Sequence, residues 1–527
     1  MHPELHARLI SHLAADLAAA DFTVDGLTAL WGDEAAAALH RGQRVPALRA
    51  LAAALPKTQE NPSGTPRTGA DEGASGDNLL HIGESPAATL ARAFVLGMPV
   101  LPAALDAALP SLGATGAVTL GLVDHSGRPL LDLRPYSFVD GRGIVSWWIA
   151  SDLGELALGH AIPEHHVLGV GGASMTLSGL MIDTPVEVAL DLGTGCGIQA
   201  LHAARHATRV VATDISVRAL ELARFNAALN GVTNIEFREG SLFDPVEGER
   251  FGQVVSNPPF VITPRAEGVP AYEYRDGGMV GDALVASVVK DVEAHLAPGA
   301  VAQLLGNWEY GSNDGLARVE QWVRFTGLDA WVIERERQSV AQYAETWIRD
   351  GGTRPGPEFD ALYDAWLNDF ESRGVTEVGF GYITLRKPVA GAPTLRRFER
   401  LDGPLGASLG ERVADLLAAH DWLRGMDDVA LPNATLTVAP DVTEQRHYWP
   451  GDEHPTVMDL KQGSGFARTV PLGTALAAVV GACDGTLPLG VICDAVAELL
   501  EVDAEELAAE VVPQVRELVL TGLLRYR

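Results

Sequence analysis

Between Val186 and Gly197 an apolar run, Val186-Glu-Val-Ala-Leu190, gives way to Asp191-Leu-Gly193-Thr194-Gly195-Cys-Gly197, and Ile198 to Ala207 follow with helical spacing. An apolar run of that length closed by glycines marks a buried parallel strand feeding a tight turn. Glycine permits torsions and close approaches that a Cβ forbids. Strand, glycine loop and helix form the unit that cradles nucleotides in doubly wound folds. This one stretch therefore limits the chain to an α/β, Rossmann-like sheet. The next strand, Arg209 to Thr213, ends on Asp214. A carboxylate about 20 residues past the first glycines suits a ribose, because it accepts from two hydroxyls and repels a phosphate. No Gly-Lys-Ser/Thr follows the loop, which excludes a Walker phosphate loop. The alternate-position glycines are also tighter than a dinucleotide fingerprint.

Glu236 to Glu239 reads as a third strand, leading into the corner Gly240-Ser241-Leu242-Phe243-Asp244. Phe251 to Ser256 reads as a fourth strand that stops at Asn257-Pro258-Pro259-Phe260. Two prolines end a strand abruptly, since neither donates to a ladder. Ligands of open α/β sheets sit at the carboxyl ends of the strands. The tetrapeptide, the glycine loop and Asp214 all belong to those ends.

Taken together, residues from about Pro163 to Pro388 resemble class I S-adenosylmethionine (SAM) methyltransferases with an (N/D/S)-P-P-(Y/F) motif. They are most similar to HemK-type glutamine methyltransferases and to small-domain RNA amino-methyltransferases. The matching pieces are Asp191 to Gly197, Asp214, Asn226-Ala-Ala-Leu-Asn230-Gly, Asn257 to Phe260, and Tyr274-Arg-Asp276-Gly-Gly278. The resemblance implies SAM as cofactor, held by Asp191, Gly193, Thr194, Gly195, Gly197, Asp214, Ile215, Ser241, Leu242 and Asn257. HemK-type enzymes carry an Arg-Pro-x-Thr-Glu stretch ahead of the glycine loop, of which only Thr176 is matched here. Thr176 joins Tyr272 and Tyr274, in the long loop after the tetrapeptide, as an expected substrate contact. No metal site is expected.

The chemistry accounts for the tetrapeptide. A planar amide or exocyclic amine is hard to methylate because its lone pair is delocalised. The Asn257 side-chain oxygen and the Pro258 carbonyl accept its two N–H protons, Pro259 stiffens the turn, and Phe260 stacks on the flat group. The favoured acceptor is a side-chain amide of a protein. The alternatives are an exocyclic amine in RNA, a small natural-product amine and, outside enzymology, a SAM-sensing binding protein.

The 527 residues suggest two to four domains. We expect a helical, winged-helix-like domain over 1–150 with a mobile loop at 56–78, the methyltransferase domain over 151–390, and a second winged-helix-like domain over 391–527. The first module is read from helices at Pro86 to Gly97 and Pro102 to Leu109 and strands at Ala117 to Val123 and Pro129 to Leu133. A net charge of −30 argues against a broad nucleic-acid surface. Arg386, Lys387, Arg396, Arg397 and Arg400 cluster at the second boundary and read as a solvated junction. Three cysteines without metal or bridge spacing suit a reducing cytosol. With no secretory pattern and no apolar run of membrane-spanning length, a soluble cytoplasmic chain is expected.

Overall fold

The computed structural model describes residues 3–53, 85–158, 162–266, 268–270, 272, 275–427 and 429–526. The expected loop at 56–78 and the expected substrate residue Tyr274 lie outside them. The chain opens with helices Pro3–Ala19, Val24–His40, bent at Gly32 (φ +81°), and Val45–Ala53. Later come Pro102–Ala108 and Gly113–Thr119. The strand expected at Ala117 to Val123 is thus corrected: most of it is the second of these helices and the turn after it. Its β-prone Val118 and Thr119 are overruled by burial of Gly116 and Ala117 on a helical face. One bridge, Val123 to Pro129, remains of the expected pairing. The hairpin proper is longer and later: β1 (Leu131–Asp140) against β2 (Gly143–Asp152), antiparallel along its whole length.

The central sheet holds β3 (Val186–Leu192), β4 (Ala207–Asp214), β5 (Ile235–Glu239), β6 (Phe251–Ser256), β7 (Leu296–Tyr310), β8 (Asp329–Ser339), β9 (Glu377–Arg386) and β10 (Arg396–Arg400). Their spatial order is β10-β8-β9-β7-β6-β3-β4-β5. β3 is buried from Ala189 to Leu192, as a parallel strand covered on both faces must be. β9 runs antiparallel to both β7 and β8. The chain moves outward through β4 and β5, then returns to the other side of β3 at β6. That reversal between β3 and β6 is the switch point at which such sheets open a crevice.

Two helices, Val340–Asp350 and Pro357–Ser372, are inserted between β8 and β9. Their Tyr343, Ile348, Trp366 and Phe370 form one core with Val261 and Ile262, just past the tetrapeptide. A missed strand, β10, pairs in parallel with β8. Beyond it lie the helix Leu409–Arg424, β11 (Thr435–Val438), β12 (Val442–His447), β13 (Val457–Gln462), β14 (Thr469–Pro471) and β15 (Asp484–Pro488). Helices Thr474–Ala482, Leu489–Leu500 and Ala504–Leu520 and β16 (Leu524–Tyr526) complete this end, with β15-β11-β16 forming a small sheet. Among the described residues no helix is long and apolar enough to cross a membrane.

Candidate active site

β3 and β6 are hydrogen-bonded neighbours, with Leu192 opposite Ser256. The residue that follows on one strand is Gly193 and on the other Asn257. Ser256 Oγ donates to the Leu192 carbonyl at 2.8 Å and ties the two strand ends together. The glycine loop and the tetrapeptide therefore leave the sheet side by side.

The loop is braced from two directions. The N–H groups of Gly193 and Thr194 donate to the Thr213 carbonyl at 2.9 and 2.8 Å, on the end of β4. From behind, Thr194 Oγ1 donates to Asp191 Oδ2 at 2.6 Å. Asp191 has no exposed surface, and burial pushes its carboxyl up to about 7, against the opposing Thr194 hydrogen bond. Gly193, Gly195 and Gly197 all have left-handed φ, but their surroundings differ. A Cβ on Gly197 would lie 3.0 Å from that of Ala223, whereas one on Gly193 or Gly195 would meet nothing within 4 Å. Gly197 serves the packing of helix Val217–Leu229, and the other two border open space.

Asp214 ends β4 beside them. Its carboxylate accepts from the Gly195 N–H and the Ser216 N–H, each at 2.9 Å. Ile215, the next residue, is exposed. Past β5, Ser241 is exposed and Leu242 is held at φ +46°, a conformation that costs a residue with a Cβ about 1–2 kcal/mol. Strain of this kind collects at ligand clamps. An open glycine cradle, a carboxylate at the strand end and a strained apolar corner fit a nucleoside with free ribose hydroxyls.

On the other side of the crevice, Asn257 Oδ1 is buried and has no hydrogen-bond partner among the described residues. Pro258 is buried, and Pro259 and Phe260 are half-buried. The loop after the tetrapeptide folds back on it: Phe260 bridges Asp276, and the Val261 N–H donates to the Arg275 carbonyl at 2.9 Å. The Phe260 ring packs on Phe380 of β9, centroids 5.5 Å apart.

Three residues absent from the sequence reading stand here. The Tyr343 hydroxyl accepts from the Ile262 N–H at 3.0 Å and from Asn307 Nδ2 at 2.6 Å, and burial raises its pKa. Asn307 of β7 pairs in register with Phe380 of β9. Nothing local in the sequence marks these residues; strand pairing over more than 70 positions brings Asn307 and Phe380 together. Tyr272 is buried, its hydroxyl 3.4 Å from the Gly351 carbonyl and its ring 4.5 Å beneath the Arg275 guanidinium. It pins the loop to the inserted helices. Thr176 is half-buried on the helix Gly172–Leu180. That helix is joined to the glycine-loop helix where Gln199 Nε2 donates to the Ser174 carbonyl at 2.7 Å.

Residues 171–269 match the family described as Methyltransferase small domain. Residues 19–134 and 414–526 match two domains of unknown function, DUF7059 and DUF7782. A release factor glutamine methyltransferase of Xylella fastidiosa is 38% identical over 133 residues, which are 23% of this chain and 47% of that protein. A ribosomal protein uL3 glutamine methyltransferase of Bradyrhizobium diazoefficiens is 35% identical over 173 residues, 31% of this chain and 50% of its own. The chain spans about half the length of both. A putative protein N5-glutamine methyltransferase of Methanocaldococcus jannaschii is 30% identical over 143 residues, 27% of this chain and 72% of that protein. Among solved structures, the ribosomal protein L11 methylase of Lactobacillus delbrueckii subsp. bulgaricus aligns over 44% of this chain and 82% of its own. Its identity is 19% and its TM-score 0.25.

Proposed function

This chain belongs to the HemK-type family of protein N5-glutamine methyltransferases, and from that membership we propose that it methylates the side-chain amide nitrogen of a glutamine in a protein, with SAM as the methyl donor. The observation that supports this reading is the buried, unpartnered Asn257 Oδ1, one residue past the strand pair that also launches the glycine loop. An acceptor atom left unpaired in a buried position is destabilising unless a donor meets it. A carboxamide N–H is such a donor.

Asn257 Oδ1 takes one N–H of the acceptor amide and the Pro258 carbonyl takes the other. Bonding both protons fixes the amide plane and favours a pyramidal nitrogen. Phe260, backed by Phe380, offers its face to that plane. When bound, SAM supplies an electrophilic methyl on a sulfonium; Gly193, Gly195, Asp214 and the Ser241–Leu242 corner hold its nucleoside. The extra proton on nitrogen leaves after transfer, so no general base is needed. Orientation of two reactants contributes up to about 7–11 kcal/mol. The acidic total goes with a protein acceptor rather than RNA, and a cytoplasmic place of action goes with that acceptor.

Lysate fractions incubated with methyl-tritiated SAM test the reading. Label is expected in protein and, after complete proteolysis, in N5-methylglutamine. Asn257→Ala is expected to lower turnover about 100-fold or more, with S-adenosylhomocysteine affinity by calorimetry within a few fold. Label confined to RNA, or an Asn257→Ala protein that turns over normally, overturns it.

A further inference from the structure

Around the tetrapeptide three buried side-chain atoms have no hydrogen-bond partner among the described residues: Asn257 Oδ1, Thr263 Oγ1 and Asn307 Oδ1. The proposed reaction uses the first. The third belongs to a different element and is firmly held. Asn307 lies three residues past Leu304, the partner of Ser256, so it stands at the level of the tetrapeptide. It is 1% exposed. Its Nδ2 donates to the Tyr343 hydroxyl at 2.6 Å, and the same hydroxyl accepts the N–H of Ile262, two residues beyond Phe260. Its register partner Phe380 carries the ring on which Phe260 packs. The inserted helix thus fixes the carboxamide by its nitrogen and leaves the oxygen as the unsatisfied end.

Resting on the glutamine reading, we infer that Asn307 is an acceptor-binding residue. Its carbonyl oxygen takes a further N–H of the substrate, beyond the two gripped at Asn257 and Pro258, and Tyr343 sets its orientation. A glutamine within a polypeptide has such a donor in its main-chain N–H; a lone amide group has none. Asn307 therefore selects glutamine, which carries an α-nitrogen donor, over an isolated amide, and the Val340–Asp350 helix, through Tyr343, is the element that sets this selection.

The test uses a pool of decapeptides with a central glutamine, and the same pool methylated on that glutamine's main-chain nitrogen. Asn307→Leu in the full chain is expected to raise KM for the first pool about tenfold or more, as for a lost hydrogen bond that leaves a buried partner unpaired. Both kcat and the Kd of S-adenosylhomocysteine are expected to stay within about twofold, a split that loss of folding does not produce. The backbone-methylated pool is expected to lose the same factor with the wild-type chain and nothing further with Asn307→Leu. Asn307→Ser, which opens space instead of filling it, repeats the measurement if the leucine variant fails to fold. An unchanged KM, a cofactor affinity that falls in step with KM, or equal losses from backbone methylation in both proteins overturns the inference alone. A wild-type chain that methylates no glutamine peptide overturns the glutamine reading and this inference with it.

Discussion

Asp191 shows how much of the site turns on one fully buried side chain. Its place at the head of the glycine motif was legible, and so was its association with the loop. That it is buried without exposure and bonded to Thr194 required the fold. Because its carboxyl is pushed up to about 7 in the folded chain from an ordinary value of 3.8, the folded state holds a proton that the unfolded chain has released. The stability this lends is full below pH 4 and is lost as pH rises toward 7. Asp191→Asn removes the titration and keeps the shape. The stability gap between variant and wild type is expected to grow between pH 4 and pH 7, reaching up to about 4 kcal/mol, and then level off. Urea unfolding midpoints across that range, measured without ligand, read it directly. Asp132, pushed up to about 6 by burial, titrates in the same window but is common to both proteins and cancels. A gap that does not change with pH would place the Asp191 proton elsewhere.

The order of strands and helices from β3 to β9 was legible because each carries a period that burial enforces, and Gly or Pro marks the ends. Elements whose form depends on distant partners were not. β10 reads as a basic, solvated run, and only its pairing with β8 makes it a strand. The matching of Asn226 and Asn230 to the family was visible, but not their mechanical role. Four residues apart at the end of the helix Val217–Leu229, they imitate a neighbouring strand for β2. Asn226 accepts from the Ala150 N–H at 2.8 Å and donates to the Ala150 carbonyl at 2.9 Å; Asn230 does the same for Trp148 at 2.9 and 2.8 Å. Asn226 Nδ2 also donates to the Cys196 carbonyl at 2.8 Å, so the hairpin and the glycine loop share one carboxamide. Asn226→Ala is expected to cost about 2–4 kcal/mol, for a buried site that leaves several groups unpaired. Asn226→Asp, nearly the same shape, is expected to cost more at pH 7, where a carboxylate faces two carbonyl oxygens, and to recover part of the loss near pH 4. Chemical denaturation at both pH values distinguishes them; an aspartate variant as stable as wild type at pH 7 would refute the clamp.

The ends of the chain are welded to the sheet. Leu13, Leu17 and Phe94 share a core with Ile198, Leu222 and Phe225, and Leu409, Val413 and Leu416 share another with Leu177, Leu180 and Trp331. Arginines that read as a basic junction are paired with acids of the sheet and of the C-terminal helices. Arg397 pairs with Glu517 at 2.6 Å, Arg386 bridges Asp329 and Asp421 at 2.8 and 2.7 Å, and Arg400 reaches Glu334 at 2.9 Å. Charge balance alone was visible in the sequence; which acid meets which base depends on contacts across as many as 120 residues. The closest approach in the weld is at Gly410, on the first turn of the helix Leu409–Arg424. A Cβ there would lie 2.0 Å from the Met181 carbonyl oxygen and 2.7 Å from its carbon, both backbone atoms that cannot rotate aside. An ordinary helical Gly→Ala change stabilises by about 0.5–1 kcal/mol. Gly410→Ala is expected to have the opposite sign, costing about 1–3 kcal/mol or more as the helix lifts off Met181. Hydrogen exchange is expected to quicken in Leu409–Arg424 and in Gly172–Leu180 beneath it, while the amides of β3 and β6 keep their protection. Because the two helices share one core, a variant that is stabilised, or that exchanges as slowly as wild type in both, would mean that the C-terminal residues do not rest on the sheet in this way.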